Sequence, residues 1–261
     1  MGSKAITATP RLFTNRDLTL DAIFDLPPEA SHYLARVMRL GEGDHIRLFN
    51  GRDGEFKVKI NKISKLITNV KVEHCLRTQA SAGAFELIFA VIKRNRLEHI
   101  IEKACELGIA CLRPVQTRYS NQKLPNPTRL ERILLEAAEQ SERLDVPHLS
   151  KETTLQKLLE NWDQDRPLFA CIETGIANAL PTIMESVTKH PQAGILIGPE
   201  GGFSAEEIEH LTSLSFVHPV SLGPRILKAD TAALYALSLL QAKWGDGDLL
   251  PPRDLNIMTK E

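Results

Sequence analysis

The sequence contains two similar stretches, ILIGPEGGFS at residues 195–204 and VSLGPRILKADTA at residues 220–232. Each begins with an apolar run typical of a buried strand and continues into a Gly-Pro turn. Ser204 and Glu207 have the spacing of a capping box, which predicts that a helix begins directly after the first turn. Ligands bind at the carboxyl ends of strands in an open α/β sheet, so both turns are predicted to line a ligand site.

Neither turn matches a known phosphate-binding loop. No Gly-Lys-Ser/Thr follows the first turn, and no G-x-G-x-x-G pattern is present, which argues against a nucleotide-dependent oxidoreductase or phosphotransferase. The first turn could also be only a tight connection between a strand and a helix. In the second stretch, Asp230 or Thr231 could simply cap the helix that follows. Capping does not exclude a ligand role, because caps and ligand loops often coincide.

Strands and helices alternate from about residue 84 onward. Residues 85–92 form a continuous apolar run, and the stripe that follows predicts a helix ending near Gly108. Thr128 and Glu131 predict a capping box at the start of another helix. Residues 168–172, 194–197 and 217–222 are predicted as further short strands. The pattern indicates an α/β fold with a mostly parallel sheet.

Residues 1–80 have a different pattern, typical of a small β-barrel. Residues 45–50 and 68–76 are predicted strands, and Phe56, Val58 and Ile60 alternate with polar residues between them. Asn50-Gly51 and Asp53-Gly54 are strong turn signals. A small polar segment at residues 78–83 then suggests a domain boundary, which divides the chain into residues 1–80 and 81–261.

A helix is predicted at residues 30–40, before the central strands of this region. Its apolar side chains Leu34, Val37 and Met38 are expected to face inward. His32, Arg36 and Arg39 would then share the other face, which could contact RNA or be merely solvated.

The charge is distributed unevenly although the chain has a net charge of only −1. Residues 1–80 hold 13 Lys and Arg against 9 Asp and Glu, and the remainder is acidic. This asymmetry indicates an anionic partner for the first domain, with chance as the alternative. The candidate phosphate contacts are Arg11, Arg36, Arg39 and Arg52, and Arg94, Arg96 and Arg118 could extend the basic surface.

Other features exclude several classes of protein. No apolar stretch approaches the length of about 18 residues that a membrane helix needs, and the N-terminal segment does not resemble a secretory signal. The four cysteines are scattered and form no C-x-x-C pair. We therefore expect no disulfide framework and no metal site, and a cytoplasmic location.

Five motifs together resemble the RsmE family of bacterial 16S ribosomal RNA uridine-N3 methyltransferases, which belong to the SPOUT (trefoil-knotted) superfamily. They are residues 32–44 (with HYL, VMRL and GD), 103–108 (KACELG), 139–147 (EQSERLDVP), 197–202 (IGPEGG) and 222–227 (LGPRIL). They occur in the expected order and span most of the chain. Two positions depart from the family pattern: Glu142 stands where Gly is usual, and Lys228 where Arg is usual.

The resemblance implies a SPOUT-type trefoil-knotted α/β domain preceded by a small PUA-like, RNA-binding β-barrel. It implies that S-adenosylmethionine is the cofactor, that 16S ribosomal RNA or the small ribosomal subunit is the partner, and that the protein is a homodimer. The residues that would bind the cofactor are Ile197, Gly198, Pro199, Glu200, Gly201, Gly202, Leu222, Gly223, Ile226 and Leu227.

The chemistry of this reaction suggests roles for three further side chains. N3 of uracil is protonated at neutral pH and must lose its proton to attack a methyl group. Arg225 is the candidate for stabilising the uracil anion. Glu200 or Asp230 could accept the proton, directly or through water, or could instead orient the cofactor or cap a helix. The alternative function is a non-catalytic ribosome-assembly factor that retains the RNA-binding surface.

Overall fold

The computed structural model of the protein describes residues 9–80, 83, 85–173, 177–188, 190 and 192–249. The chain divides into two compact units. Unit 1 contains the described residues up to 80 together with Ala138–Val146, and unit 2 contains most of the remainder. A segment distant in the sequence thus belongs to the first unit.

Unit 1 is built on a five-stranded sheet with the order β1-β3-β4-β5-β2. Its strands are β1 (Arg11–Phe13), β2 (Ile23–Leu26), β3 (His45–Phe49), β4 (Glu55–Ile63) and β5 (Thr68–Arg77). The pairs β3–β4, β4–β5 and β2–β5 are antiparallel, whereas β1 and β3 are parallel. Among the described residues, β1 and β2 form the two edges of this sheet and do not pair with each other. The sequence predicts a barrel for this region.

The alternation seen in the sequence produces the core of unit 1. Val58 and Ile60 are fully buried and Phe56 nearly so, because successive side chains of a strand point to opposite faces. The predicted turn between β3 and β4 is confirmed, since Gly51 and Gly54 have φ angles of 80° and 103°. A side chain at Gly54 would collide with the carbonyl oxygen of Arg77, so the close approach of two strands requires glycine there.

The predicted helix at residues 30–40 is only partly correct. An α-helix, α1 (Pro28–His32), is followed directly by a π-helical turn (Tyr33–Val37). Leu34 is fully buried as predicted, but the prediction that Val37 faces inward is wrong, because Val37 is 62% exposed. A π-helix has more residues per turn than an α-helix, so it rotates Val37 away from the face that Leu34 occupies.

Unit 2 is built on an eight-stranded sheet with the order β11-β13-β10-β12-β6-β7-β8, and β9 also pairs with β7. Its strands are β6 (Glu86–Ala90), β7 (Cys111–Gln116), β8 (His148–Leu149), β9 (Thr153–Thr154), β10 (Leu168–Cys171), β11 (Asn178–Ala179), β12 (Gly194–Ile197) and β13 (Val217–Ser221). Every pairing in it is parallel, which confirms the predicted α/β class with a mostly parallel sheet.

Helices connect the strands of the parallel sheet. They are α2 (Arg94–Glu106), α3 (Pro127–Gln140, whose last residues belong to unit 1), α4 (Leu155–Glu160), α5 (Leu180–Ser186), α6 (Ala205–Ser213) and α7 (Ala229–Trp244). The predicted apolar stripe of α2 is confirmed, since Leu97, Ile100, Ile101 and Ala104 are buried. Gly108 follows the helix with a φ of 79°, a conformation that ends many helices.

The starts of three helices test the predicted caps. The capping box of Ser204 and Glu207 is confirmed at the start of α6. The box predicted for Thr128 is wrong: α3 begins at Pro127, two residues earlier than a cap at Thr128 requires, and Asn126 Oδ1 accepts a hydrogen bond from Thr128 N at 3.0 Å. Proline at the first helical position loses no hydrogen bond, which explains the earlier start. Capping of α7 by Asp230 or Thr231 is also wrong, because the N-cap is Lys228.

Candidate active site

The two Gly-Pro turns line one cavity of about 510 Å³ in unit 2, called here the first cavity. β10 lies between β12 and β13, and its last residue, Cys171, is paired with both Ile197 and Val220. Three strands therefore end at about the same level, and the turns that follow the outer two, β12 and β13, line the same cavity. The volume is within the range of about 300–1,000 Å³ that is usual for small-molecule sites.

The structure brings most of the predicted cofactor-binding residues together around this cavity. The lining includes Ile197, Gly198, Pro199, Glu200, Gly202, Leu222, Gly223, Ile226 and Leu227. Gly201, the remaining predicted residue, lines an adjacent cavity instead.

The backbone of both turns is left bare by glycine. Gly202 and Gly223 have φ angles of 69° and 105°, and a Cβ atom built on either would have no heavy atom within 4 Å. A Cβ on Gly198, in contrast, would lie 3.0 Å from the ring of Phe203, which packs against that side of the turn. The turns therefore expose peptide groups to open space, an arrangement that lets a ligand approach the backbone closely.

The three candidate catalytic side chains differ in their surroundings. Arg225 is exposed, lines the first cavity and makes no hydrogen bond or ion pair with the described residues. Glu200 forms a partly exposed ion pair with Arg96, with 3.3 Å between Oε1 and Nη1. Asp230 lies in the first turn of α7, and its Oδ1 atom is buried without a hydrogen-bond partner among the described residues. Within the described part of the chain, Arg225 is thus a free cation, and Asp230 has an unused acceptor.

Several residues of the first cavity were missed by the sequence analysis. They include Cys171, Ile172, Glu173, Phe203, Ile208 and Ala232. Cys171 ends β10, and this position at the carboxyl end of a predicted strand is the signal in the sequence that points to it. Burial raises the pKa of the Cys171 thiol to about 12, which keeps it protonated and unreactive at neutral pH. Its contribution to the wall is therefore that of a small apolar group.

A second cavity, also of about 510 Å³, lies beside the first. Pro199 and Glu200 line both cavities, so the first Gly-Pro turn is a wall common to the two. Its other lining residues are Val91, Lys93, Arg96, Tyr119, Asn121, Gln122 and Gly201.

Arg11, a predicted phosphate contact, is buried in unit 1. Its side chain is 3% exposed, and its Nε lies 2.8 Å from Oε1 of Glu55. Arg47 and Arg77 contact the same carboxylate, at 3.4 and 2.5 Å. Burial lowers the pKa of Arg11, while Glu55 opposes this change. The structure therefore corrects the prediction that Arg11 contacts a phosphate group, because its guanidinium is buried and paired with Glu55.

The cluster around Glu55 also holds the segment that contains Glu142. Arg11 Nη1 donates to the carbonyl oxygen of Ala138 at 2.9 Å, and Arg77 Nη2 donates to that of Glu142 at 2.8 Å. The carboxylate of Glu142 pairs with Arg47 at 3.0 Å. Glu142 has a φ of 60°, in the left-handed region. Glycine adopts this conformation without strain, which explains why glycine suits the position. The glutamate adds an ion pair with Arg47.

The other predicted RNA contacts are not buried. Arg36 and Arg39 are exposed on unit 1, as is Tyr33 beside them. Arg52 is half-exposed and pairs with Asp17 at 2.6 Å. These cations therefore remain accessible to a phosphate group.

In unit 2, Arg94 and Arg129 both contact Glu98, and their hydrogen bonds lower the pKa of that carboxylate to about 2. The side chain of Arg94 is 61% exposed despite this contact. The backbone of Arg118 donates to Glu207 Oε1 at 2.8 Å, which ties its loop to the start of α6.

Two features are missing from the described part of the chain. No group of three or more His, Cys, Asp or Glu residues there could hold a metal ion. No helix in that part is long and apolar enough to span a membrane.

Comparison with known proteins identifies the family of both units. Residues 79–241 match the model of the RNA methyltransferase domain, and residues 26–72 match the model of the RNA methyltransferase PUA domain. The predicted PUA-like character of the first domain is thereby confirmed.

Individual relatives agree with the family models. Ribosomal RNA small subunit methyltransferase E of Rickettsia conorii is 35% identical over 229 residues, covering 87% of this chain and 93% of the relative. The protein of the same name from Bacillus subtilis is 33% identical over 228 residues, covering 83% and 89%. A Legionella pneumophila methyltransferase, solved with bound S-adenosylmethionine, is 29% identical with a TM-score of 0.79, covering 90% and 97%. This chain therefore belongs to the ribosomal RNA small subunit methyltransferase E family.

Proposed function

We propose that the protein transfers the methyl group of S-adenosylmethionine to ring nitrogen N3 of a specific uridine in the 16S ribosomal RNA of the small subunit. The observation that carries the proposal is the first cavity, which is lined by two bare Gly-Pro turns, at the ends of β12 and β13, and by an arginine unpaired among the described residues. Family membership and the cofactor bound to the Legionella relative support it.

The residues of the first cavity fit S-adenosylmethionine. The open space beside Gly202 and Gly223 allows the cofactor to approach the peptide groups of both turns. Apolar side chains such as Ile172, Leu227 and Ala232 suit its adenine and methionine carbon atoms. When bound, the cofactor supplies a methyl group that leaves with its bond electrons remaining on sulfur.

The side chains of the protein then act on the uracil. The N3 atom must lose its proton as it forms the new bond to the methyl carbon. In our proposal Arg225 stabilises the negative charge that spreads onto the flanking carbonyl oxygens. Glu200 lines the first cavity but already pairs with Arg96, whereas Asp230 has an acceptor atom without a described partner but does not line the cavity, so both stay candidates for the proton. Lys228 lines the same cavity as a point charge, without the fork of an arginine.

The first domain would hold the RNA through its exposed cations. Arg36, Arg39 and Arg52 remain as candidate phosphate contacts there, and Arg94 and Arg118 as candidates in the second domain. A target base within folded RNA must leave its stack to reach the methyl group. Steep dependence of binding on salt concentration is expected.

We also infer that the protein acts as a homodimer in the cytoplasm. The resemblance to the family supports the dimer, and the small ribosomal subunit as partner supports the location. Sedimentation at several protein concentrations tests the dimer, and a monomer at all of them would contradict it.

Labelled S-adenosylmethionine tests the proposed function directly. The expected result is transfer of the labelled methyl group to small-subunit RNA or to the assembled subunit, with a single modified uridine found by mass spectrometry. Folded protein that binds the cofactor but labels neither substrate would overturn the proposal. RNA binding without any binding of the cofactor would instead favour the assembly factor.

A further inference from the structure

The second cavity has a lining unlike that of the first. The first cavity also holds two cations, Arg225 and Lys228, but most of its other lining residues are glycine, proline or aliphatic, as suits the cofactor. The second contains two cations, Lys93 and Arg96, the ring of Tyr119, and the side-chain amides of Asn121 and Gln122. Cations bind phosphate, rings stack on bases, and amides can donate and accept hydrogen bonds at a base edge. This set of groups matches a nucleotide.

Tyr119 is held in place as a surface for stacking. Its side chain is 47% exposed, so part of the ring is accessible to a ligand. The turn that carries it is closed by hydrogen bonds from Ser120 N to Thr117 O and from Thr117 N to Ser120 Oγ, both 3.1 Å. A Cβ built on Gly201 would lie only 3.3 Å from the Cβ of Tyr119. The Cβ end of the Tyr119 side chain is therefore packed against the first Gly-Pro turn.

The cations of the second cavity are available to an anion. The side chain of Lys93 is exposed and pairs with no described residue. Among the described residues, Arg96 forms an ion pair only with Glu200, and both side chains are partly exposed, at 30% and 42%. Such pairs contribute little stability, so a phosphate group could take over the guanidinium at small cost.

The position of the second cavity fits a substrate rather than an unrelated ligand. The turn at Pro199 and Glu200 borders both cavities, so their occupants would be neighbours. Methyl transfer requires the acceptor atom to lie about 3–3.5 Å from the methyl carbon. A base in the second cavity would meet the cofactor by extending past the edge of this turn into the first cavity.

We propose that the second cavity receives the target uridine nucleotide, with its base on Tyr119, one carbonyl oxygen near Asn121 and Gln122, and its phosphate near Lys93. N3 and the other carbonyl oxygen then face the first cavity, which Arg225 lines. The proposal rests on the proposed methyltransferase function and assigns that function its substrate subsite. Tyr119 is a binding residue in this arrangement and takes no part in proton transfer.

Two substitutions of Tyr119 distinguish the effect of its aromatic ring from that of its apolar volume. Tyr119→Leu keeps an apolar side chain but removes the stacking surface, so the KM for small-subunit RNA should rise about tenfold to a hundredfold. Tyr119→Phe keeps the ring and should leave the KM within about threefold of the original. Cofactor affinity, measured by calorimetry, should be unchanged in both variants, which also confirms that they fold. Equal KM values for the leucine variant and the unaltered protein would overturn the proposal.

A crosslink gives a readout that does not depend on activity. The probe is small-subunit RNA transcribed with 4-thiouridine, irradiated with the protein and S-adenosylhomocysteine. Trypsin cuts after Arg118 and Lys123, so residues 119–123 form one peptide that contains the ring and both amides. We expect this peptide to carry a crosslinked uridine, and its absence among crosslinked peptides of unit 2 would contradict the assignment.

The two proposals fail differently. If the unaltered protein transfers no methyl group to RNA or to the assembled subunit, the proposed function is wrong. If it transfers the methyl group, but Tyr119→Leu has no effect and crosslinks form elsewhere, the function stands and only the subsite is wrong.

Discussion

Two arginine sites, one in each unit, provide opposite environments for the guanidinium group. In unit 1, Arg11, Arg47 and Arg77 surround the carboxylate of Glu55, whose side chain is only 2% exposed. In unit 2, Arg225 is exposed beside the first cavity and has no partner among the described residues. A buried guanidinium must be paired and hydrogen-bonded, whereas an unpaired one must stay in contact with water. The comparison shows that an arginine has a structural role where a buried carboxylate lies within reach, and is free to bind a ligand where none does.

This difference changes the meaning of the charge asymmetry. Three of the cations in residues 1–80 are neutralised in part by Glu55 and by Glu142, which lies far along the sequence but in the same unit. The net charge of residues 1–80 therefore overstates the charge that RNA can reach. The accessible part comes from surface residues such as Arg36, Arg39 and Arg52.

The largest effect is expected for Glu55→Gln, which removes the charge at the centre of the buried cluster. Three guanidinium groups would then share one site without its central carboxylate, so the free energy of unfolding should fall by about 3–5 kcal/mol. Urea denaturation measures this. The control is Asp17→Asn, which breaks the exposed pair with Arg52 and should cost less than about 1 kcal/mol. Similar losses in both variants would remove the distinction between buried and exposed pairs.

Arg225→Ala tests the free arginine. The rate of methyl transfer should fall about 100- to 1,000-fold, as when one group that stabilises a developing anion is removed. The free energy of unfolding should change by less than about 0.5 kcal/mol, because Arg225 has no partner in the described structure. Arg132→Ala, at an exposed pair with Glu136, serves as the surface control. A loss of cofactor affinity as large as the loss of rate would contradict a role in stabilising the uracil anion.

Two substitutions at Glu142 separate its charge from its backbone conformation. Both Glu142→Ala and Glu142→Gly remove the ion pair with Arg47, but only glycine adopts a φ of 60° without strain. The glycine variant should therefore be more stable than the alanine variant by about 1 kcal/mol. Thermal unfolding of the two variants measures the difference. Equal stabilities would mean that the left-handed conformation is not retained in the alanine variant.

The smallest effect is expected for Arg36→Ala. If Arg36 contacts one phosphate, the slope of log K against log salt concentration should become less steep by about 1, with no loss of stability. Lys157→Ala, on the short helix α4 of unit 2, is the control and should leave the slope unchanged. An unaltered slope for Arg36→Ala would place the RNA on another surface.

Much of the fold could be predicted from local sequence patterns. The alternation at Phe56, Val58 and Ile60, the stripe of α2 and the capping box of Ser204 all appear in the structure as predicted. These features depend on residues that are close in the sequence, so a period of two or 3.6 residues is enough to reveal them. The predictions failed where a neighbouring element or an unusual turn decided the outcome, as at Val37 in the π-helical turn and at the start of α7.

The candidate site likewise has one part that the sequence reveals and one part that it does not. The two Gly-Pro turns were evident in the sequence, and the rule for strand ends placed them at one edge of a sheet. The aromatic and amide side chains of the second cavity were not evident, because Tyr119, Asn121 and Gln122 follow a different strand and meet Gly201 only in the folded chain.

The sequence by itself determined the α/β class, the two Gly-Pro turns and the resemblance to one family, because these depend on short motifs and their order. The trefoil knot that this resemblance implies stays a prediction. Only the tertiary structure decided which arginines are buried and which are free. Burial depends on contacts between distant residues, such as Arg11 with Glu55 and Ala138, and no local pattern encodes them.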